Sequence, residues 1–218
     1  MLTIHEALPE LKAALSSGSA AVLVAPPGAG KTTVVPLELL REPWAATGRI
    51  IVLEPRRLAA RAAADRMAET LSEPVGETVG FRVRMQSRVS ARTRIEVVTE
   101  GVFTRMILAD PELAGVACVI FDEFHERHLA TDLGLALALD AQAGLREDLR
   151  ILVMSATLDG ERLSTWLDAG RVVSAGRSFP VTIEHLPGKR EERIGVHLAR
   201  GVEQALAVKP AMRSFAHA

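Results

Sequence analysis

Short apolar, β-branched runs alternate with helical patterns along most of this chain, an arrangement that few folds accept. The runs read as strands at Ala20–Ala25, Arg49–Leu53, Arg94–Val98, Val116–Phe121 and Arg150–Met154, with a shorter one within Thr78–Met85. Apolar spacing between them predicts helices at His5–Ser16, Lys31–Leu40, Arg56–Leu71, Gly101–Leu108, Leu129–Leu145 and Gly160–Leu167. The strands are apolar on both faces, as burial under helices on both sides requires. The expected fold is therefore α/β, with a mostly parallel central sheet. Pro36 falls inside a predicted helix, where its missing N–H argues against helix on propensity alone.

At 218 residues the chain can hold one α/β domain plus a remnant. The pattern changes after about Gly176. Phe179–Ile183 looks like the start of another strand, Pro187–Arg193 is a polar loop, Gly195–Leu206 suits a helix, and Pro210–Ala218 has no packing pattern. Residues 1–175 are thus expected to form one domain, and 176–218 a bridge and a truncated, partly disordered start of a second.

Hydrophobic residues make up 48% and charged residues 24%, the balance of a soluble globular protein. No stretch approaches the roughly 18 uninterrupted apolar residues of a membrane span. The N-terminus lacks the basic start and apolar run of a signal peptide. The single cysteine, Cys118, lies in an apolar run and reads as a small buried hydrophobe. A disulfide-free, cytoplasmic monomer with no membrane partner is expected. The net charge of −1 means that any nucleic-acid surface must be a local patch.

The chemistry sits where strands end. After Ala20–Val24 comes Ala25-Pro26-Pro27-Gly28-Ala29-Gly30-Lys31-Thr32-Thr33. Close-set glycines let backbone N–H groups wrap a phosphate, and the following helix N-terminus favours an anion. Lys31 can then reach the β- and γ-phosphates while the Thr32 hydroxyl ligates Mg²⁺. Ala25 stands where the strict phosphate-loop pattern has glycine. About ninety residues later, Asp122-Glu123 closes the run Val116–Phe121. There Asp122 can hold the metal and Glu123 can polarise the attacking water. Together these halves indicate an ATP or GTP hydrolase.

Other groups admit two readings each. His125 and His128 flank Glu126, but not at the i, i+4 spacing of a zinc-binding helix, so His125 is read as bonding across the site. Arg56-Arg57 occupy a first helical turn, where the dipole disfavours cations; an anionic partner such as nucleic-acid phosphate would explain them, as would plain solvation. Arg82, Arg84, Arg88, Arg92 and Arg94 fall in a stretch without acids, either a phosphate-tracking edge or a soluble hairpin. Ser155-Ala156-Thr157 either bonds the acidic pair or caps a helix, and Thr99-Glu100-Gly101 is half cap, half ligand loop.

In this order, Gly28–Thr33, Pro55–Ala60, Thr99–Gly101, Asp122–Arg127 and Ser155–Leu158 resemble the first motor domain of DEAH-box ATP-dependent RNA helicases. Asp-Glu-Phe-His at Asp122–His125 and Leu-Glu-Pro-Arg-Arg-Leu around Pro55 look most like the bacterial HrpB branch. The resemblance covers about residues 10–187 and implies a RecA-like P-loop NTPase three-layer sandwich using ATP and Mg²⁺. It implies catalytic roles for Lys31, Asp122, Glu123 and His125, with Asp122 meeting the metal through water. Pro27, Gly28, Ala29, Gly30, Lys31, Thr32 and Thr33 would hold the phosphates, and Arg66 would stack on the adenine. Arg56, Arg57, Thr99, Glu100 and Gly101 would meet nucleic acid, with single-stranded RNA the expected form, and Ser155 and Thr157 would couple hydrolysis to strand movement. The family shares Pro36. It also has a second RecA-like domain carrying arginine fingers, whose later motifs are not in this sequence, so a truncated or frame-altered copy is expected. Arg105, Arg127 and Arg177 do not match a finger position.

Overall fold

The structure, a computed structural model, describes residues 4–46, 48–156, 160–174 and 193–208. The chain divides into two compact units, Met1–Arg177 and Ser178–Ala218. In the second, the described part is one helix, Ile194–Val208. The remainder concerns the first unit.

Its strands are β1 (Ala20–Val24), β2 (Arg49–Leu53), β3 (Val79–Val83), β4 (Gln86–Arg88), β5 (Ile95–Val98), β6 (Val116–Phe121), β7 (Arg150–Ser155) and β8 (Gly170–Val173). They form one sheet in the order β4-β3-β5-β2-β6-β7-β1-β8. All pairs are parallel except β3–β4. The helices are α1 (Ile4–Ser17), α2 (Lys31–Leu39), α3 (Arg57–Thr70), α4 (Glu100–Ala109), α5 (Leu129–Gly144) and α6 (Gly160–Leu167).

Strand residues alternate between two cores. Ala21, Leu23, Ile50, Val52, Cys118, Ile120, Leu152 and Met154 face a cluster containing Leu11 and Leu15 of α1, Val35 and Leu39 of α2, and Ala64 and Met67 of α3. Val22, Val24, Ile51, Leu53, Val119, Phe121, Ile151 and Val153 face the other, with Val102 and Phe103 of α4 and Leu135 and Ala138 of α5. The period-2 pattern thus makes the three-layer sandwich that the sequence leads one to expect. Burial at Cys118 pushes its thiol up to about 12, consistent with its reading as a small hydrophobe.

Pro36 is accommodated inside α2, and the neighbouring turn stays intact because Leu40 N–H donates to the Pro36 carbonyl at 3.0 Å. The antiparallel β3–β4 pair is the soluble hairpin that the sequence allowed for the arginine-rich stretch, though neither β4 nor β8 reads as a strand in the sequence. All three residues of β4 are exposed, and in β8 only Val172 is buried, so neither has a hydrophobic run to betray it. The Thr78–Met85 run ends early: the strand stops at Val83 and Met85 turns the chain at φ 65°, leaving Arg84 past the strand.

Phe103 and Phe121 stack edge-on at 5.8 Å between centroids, and both are fully buried. Phe103→Ala should therefore cost about 3–5 kcal/mol in urea unfolding. A loss below about 1 kcal/mol would contradict this packing of α4 on β6.

Candidate functional site

Parallel strands place all their C-terminal ends on one edge, and there the candidate residues collect. Along that edge run Thr99 after β5, Glu54 after β2, Asp122 after β6, Ser155 at the end of β7, and the 25–30 loop after β1. Backbone bonds tie the neighbours: Glu54 N–H donates to Val98 O at 2.9 Å, Asp122 N–H to Leu53 O at 3.0 Å, and Ala25 N–H to Ser155 O at 3.0 Å.

The loop turns through Gly28 at φ 76° and Gly30 at φ 91°, conformations that a side chain would strain. Pro27 and Gly28 are exposed, Ala29 is buried, and Thr33 lies in the first turn of α2. A helix start leaves its first N–H groups without intrahelical acceptors, and here they follow a backbone already curled by two glycines. Lys31 is buried yet extends its ammonium to 3.4 Å from Glu123 Oε1. Thr32 Oγ1 donates to Asp122 Oδ2, and Asp122 Oδ1 accepts the Glu123 N–H at 2.8 Å. Glu123 itself has φ 49°, a left-handed kink that begins the 3-10 turn Phe124–Glu126. His125 Nδ1 lies 3.4 Å from Glu123 Oε2 and accepts the Ala156 N–H at 3.3 Å. It therefore bonds across the site, from the β6 end to the β7 end.

Oxygen donors from Thr32 and Asp122 in mutual contact suit a hard divalent cation, and the curled amides with Lys31 suit phosphate. The residues present fit Mg²⁺ and a nucleoside triphosphate. Burial pushes the Asp122 carboxyl up to about 6, with the Glu123 charge adding to it and the Thr32 hydrogen bond opposing it.

The remaining candidates spread toward β5. Arg56 precedes α3, its Nη2 3.0 Å from Glu126 Oε1 and its Nε 3.8 Å from Glu54 Oε1. The cation at this helix start thus already has internal anions, which the sequence argument had sought outside the chain. Arg57 is exposed beside it. Thr99 caps α4 by position, and Gly101 is exposed in its first turn. Glu100 is differently engaged: its Oε1 accepts from His128 Nδ1 at 3.1 Å and from Thr131 Oγ1, so its carboxylate pins α5 to α4. Arg66 stands exposed on α3, apart from the hydrogen-bonded cluster. Ser155 is buried at the end of β7, whereas Thr157 lies outside the described residues.

The arginine-rich stretch divides. Arg82 Nε meets buried Glu96 at 2.8 Å, Arg92 meets Glu77 at 2.6 Å, and Arg94 donates to the Ala45 and Gly48 carbonyls. Arg84 and Arg88 remain exposed around the β3–β4 turn, next to Met85.

A model of the DEAD/DEAH box helicase family matches residues 5–165, most of the chain. The chain belongs to that family. Over 193 residues it is 56% identical to the ATP-dependent RNA helicase HrpB of Escherichia coli, covering 88% of this chain and 24% of that protein. It is 37% identical to the ATP-dependent RNA helicase DEAH12, chloroplastic, of Arabidopsis thaliana, over 78% of this chain and 10% of that one. A crystal structure of the E. coli DEAH/RHA helicase HrpB superposes with a TM-score of 0.88 at 53% identity, covering 96% of this chain and 27% of that one. The chain thus spans about a quarter of the length of its HrpB relative. No helix among the described residues is long and apolar enough to cross a membrane.

Glu54 was missed from sequence. It is buried at the end of β2, and its Oε1 accepts the Arg56 N–H at 3.3 Å. Burial, reinforced by Asp122 nearby, pushes its carboxyl up to about 7. A signal was present: a lone acid closing the apolar run Ile50–Leu53, as Asp122 closes its own.

A carboxyl raised in the folded state binds its proton more tightly folded than unfolded, so its ionisation opposes folding. The penalty grows as pH rises from about 4.5, the ordinary value, to about 7 and is complete above it. Glu54→Gln should remove it, leaving the variant more stable than the parent at pH 8 by roughly 2–3 kcal/mol and similar to it at pH 4.5. Melting temperatures of both across pH 4.5–8 check this, and parallel curves would refute it.

Proposed function

We propose that this chain is the nucleotide-binding half of an ATP-driven nucleic-acid motor, acting on single-stranded RNA together with a second RecA-like domain. In this reading residues 1–175 are the first RecA-like domain, 176–218 lead toward the second, and the protein works as a cytoplasmic monomer. The observation that carries it is the convergence of Lys31, Thr32, Asp122 and Glu123 at adjoining strand ends.

The N–H groups of Gly28 to Thr33 would cradle the β- and γ-phosphates of ATP, with Pro27 and Ala29 shaping the loop. Lys31 would transfer its ammonium from Glu123 to the phosphate oxygens, releasing the Glu123 carboxylate to accept a proton from water. Thr32 and, through water, Asp122 would hold Mg²⁺, which would supply neutralisation of phosphate charge. His125 would report the Glu123 state to Ala156, where Ser155 and Thr157 couple it to strand movement. Arg66 would stack on the adenine. Arg56, Arg57, the Thr99 hydroxyl, Glu100 and the exposed Gly101 would line the nucleic-acid backbone.

Among the described residues no arginine contacts Lys31, Thr32, Asp122 or Glu123. Arg127 pairs with Asp132 at 3.0 Å and lies over Phe124, and Arg105 donates to the Gly101 carbonyl at 3.1 Å. This favours fingers supplied by the second domain, worth roughly 10³–10⁵ in rate. The same observation suits the alternative of a nucleotide- and RNA-binding module that does not turn over. A P-loop ATPase with no nucleic-acid partner is a third reading. Fluorescent-ATP binding followed by ATPase assays with and without RNA separates them. The motor reading expects binding, very slow hydrolysis by this chain, and RNA affinity that falls steeply with salt.

Lys31→Ala should weaken ATP affinity by roughly 1.5–3 kcal/mol in equilibrium titration, and an unchanged affinity would remove the phosphate-loop role. Glu123→Gln should leave Mg-ATP binding in place while lowering hydrolysis by the two-domain protein roughly 10²–10⁴-fold. Parent-rate turnover would show that Glu123 is not the base.

A further inference from the structure

Arg56 has a largely exposed side chain, yet both nitrogens on one edge of its guanidinium face carboxylates. Nε lies 3.8 Å from Glu54 Oε1, and Nη2 lies 3.0 Å from Glu126 Oε1. An arginine grips a phosphate with two N–H groups either through the Nε–Nη2 edge or through the Nη1–Nη2 edge. Nη2 gives one N–H to each edge, and because Nε and Nη2 both face carboxylates, it is the Nε–Nη2 grip that a phosphate can take only in competition with Glu126.

We propose that Glu126 is a built-in competitor for nucleic-acid phosphate at Arg56, a positioning residue whose displacement carries strand binding to the turn bearing Glu123. The proposal rests on the nucleic-acid reading of Arg56 given above.

Three features fit a displaceable competitor. The ion pair is partly exposed, and pairs of that kind are weak enough for a phosphodiester to replace. Glu126 is not committed to Arg56 alone: its Oε2 lies 3.5 Å from His128 Nε2, a partner for the carboxylate when the ring carries both protons, and His128 Nδ1 lies 3.1 Å from Glu100 Oε1. Glu126 also shares one short turn with the candidate base, its N–H donating to the Glu123 carbonyl at 2.9 Å. Left-handed residues bound that turn, Glu123 at φ 49° and Arg127 at φ 52°, which makes it a distinct conformation rather than a loose loop. Glu54 plays the opposite part. Buried, and accepting the Arg56 N–H at 3.3 Å, it keeps the arginine in place while Glu126 exchanges.

The test is a double-mutant cycle read by fluorescence anisotropy of a labelled single-stranded RNA at low salt. Arg56→Ala should weaken RNA binding. Glu126→Gln should tighten it roughly threefold to tenfold in the parent and leave it within about twofold in the Arg56→Ala background. Glu126→Asp keeps the charge but withdraws it by one methylene, and should tighten binding by less, again only with Arg56 present. Thermal unfolding of each variant verifies folding, and if the glutamine form does not fold the aspartate pair decides. An equal gain in both backgrounds would mean a general charge effect and overturn the competitor. A loss of affinity in Glu126→Gln would overturn it too, because Glu126 would then be orienting the arginine. If instead Arg56→Ala binds RNA like the parent, the nucleic-acid reading of Arg56 itself has failed, and that result is distinct from the other two.

Discussion

Burying both faces of a parallel sheet leaves one row of strand C-termini where polar chemistry can be placed, and the candidate site of the first unit is arranged along that row. Side chains of β1, β2, β6 and β7 are committed alternately to the two cores. What cannot be buried emerges at the ends, in the spatial order of the strands rather than the order of the chain. The sheet order therefore sorts the candidate groups. Thr99 and Arg56 fall toward β5 and β2, the phosphate loop and Ser155 toward β1 and β7, and the Asp122-Glu123 end of β6 lies between them. Just past the sheet this strand meets both neighbours, Asp122 bonding Leu53 of β2 and His125 bonding Ala156 after β7. If the proposed nucleotide and nucleic-acid sites hold, coupling between them would need no long path, because the Asp122–Arg127 turn lies between the residues assigned to each.

The edge is also electrostatically tense. Glu54, Asp122 and Glu123 bring three interacting carboxyls together, and burial makes ionisation expensive for the first two. Protons are held there more tightly than in water. A cation arriving at Asp122 would lower its proton affinity, so metal binding and proton release are linked. Among the described residues Lys31 has one ion-pair partner, Glu123 at 3.4 Å, a poor match for an ammonium with three donors.

The strands that make the site were legible because they are apolar on both faces, and the candidate acids were legible because they interrupt such runs. Gly28, Gly30, Lys31 and Thr32 could be read as one unit since their chemistry is local to the chain. What escaped was either shallow or distant. β4 and β8 bury almost nothing, so hydrophobic periodicity passes over them. Glu54 was missed although it ends an apolar run just as Asp122 does; one isolated acid drew less notice than a pair. Pairings such as Glu100 with Thr131 join residues far apart in sequence, and no local pattern encodes them.

Arginine use makes the same distinction. Sequence tells which residues carry charge but not which charges are already taken. In the acid-free stretch from Gly80 to Ile95, Arg82 is held by Glu96, Arg92 by Glu77 and Arg94 by backbone carbonyls, all from outside the stretch. Local absence of acids therefore did not mean free cations. Arg57, Arg84 and Arg88 are exposed and have no ion-pair partner among the described residues, and the exposed Arg56 guanidinium faces Glu126 at 3.0 Å and Glu54 at 3.8 Å. An anionic strand would find its footing at the start of α3 and at the β3–β4 turn, whereas the arginines between them hold the sheet edge together.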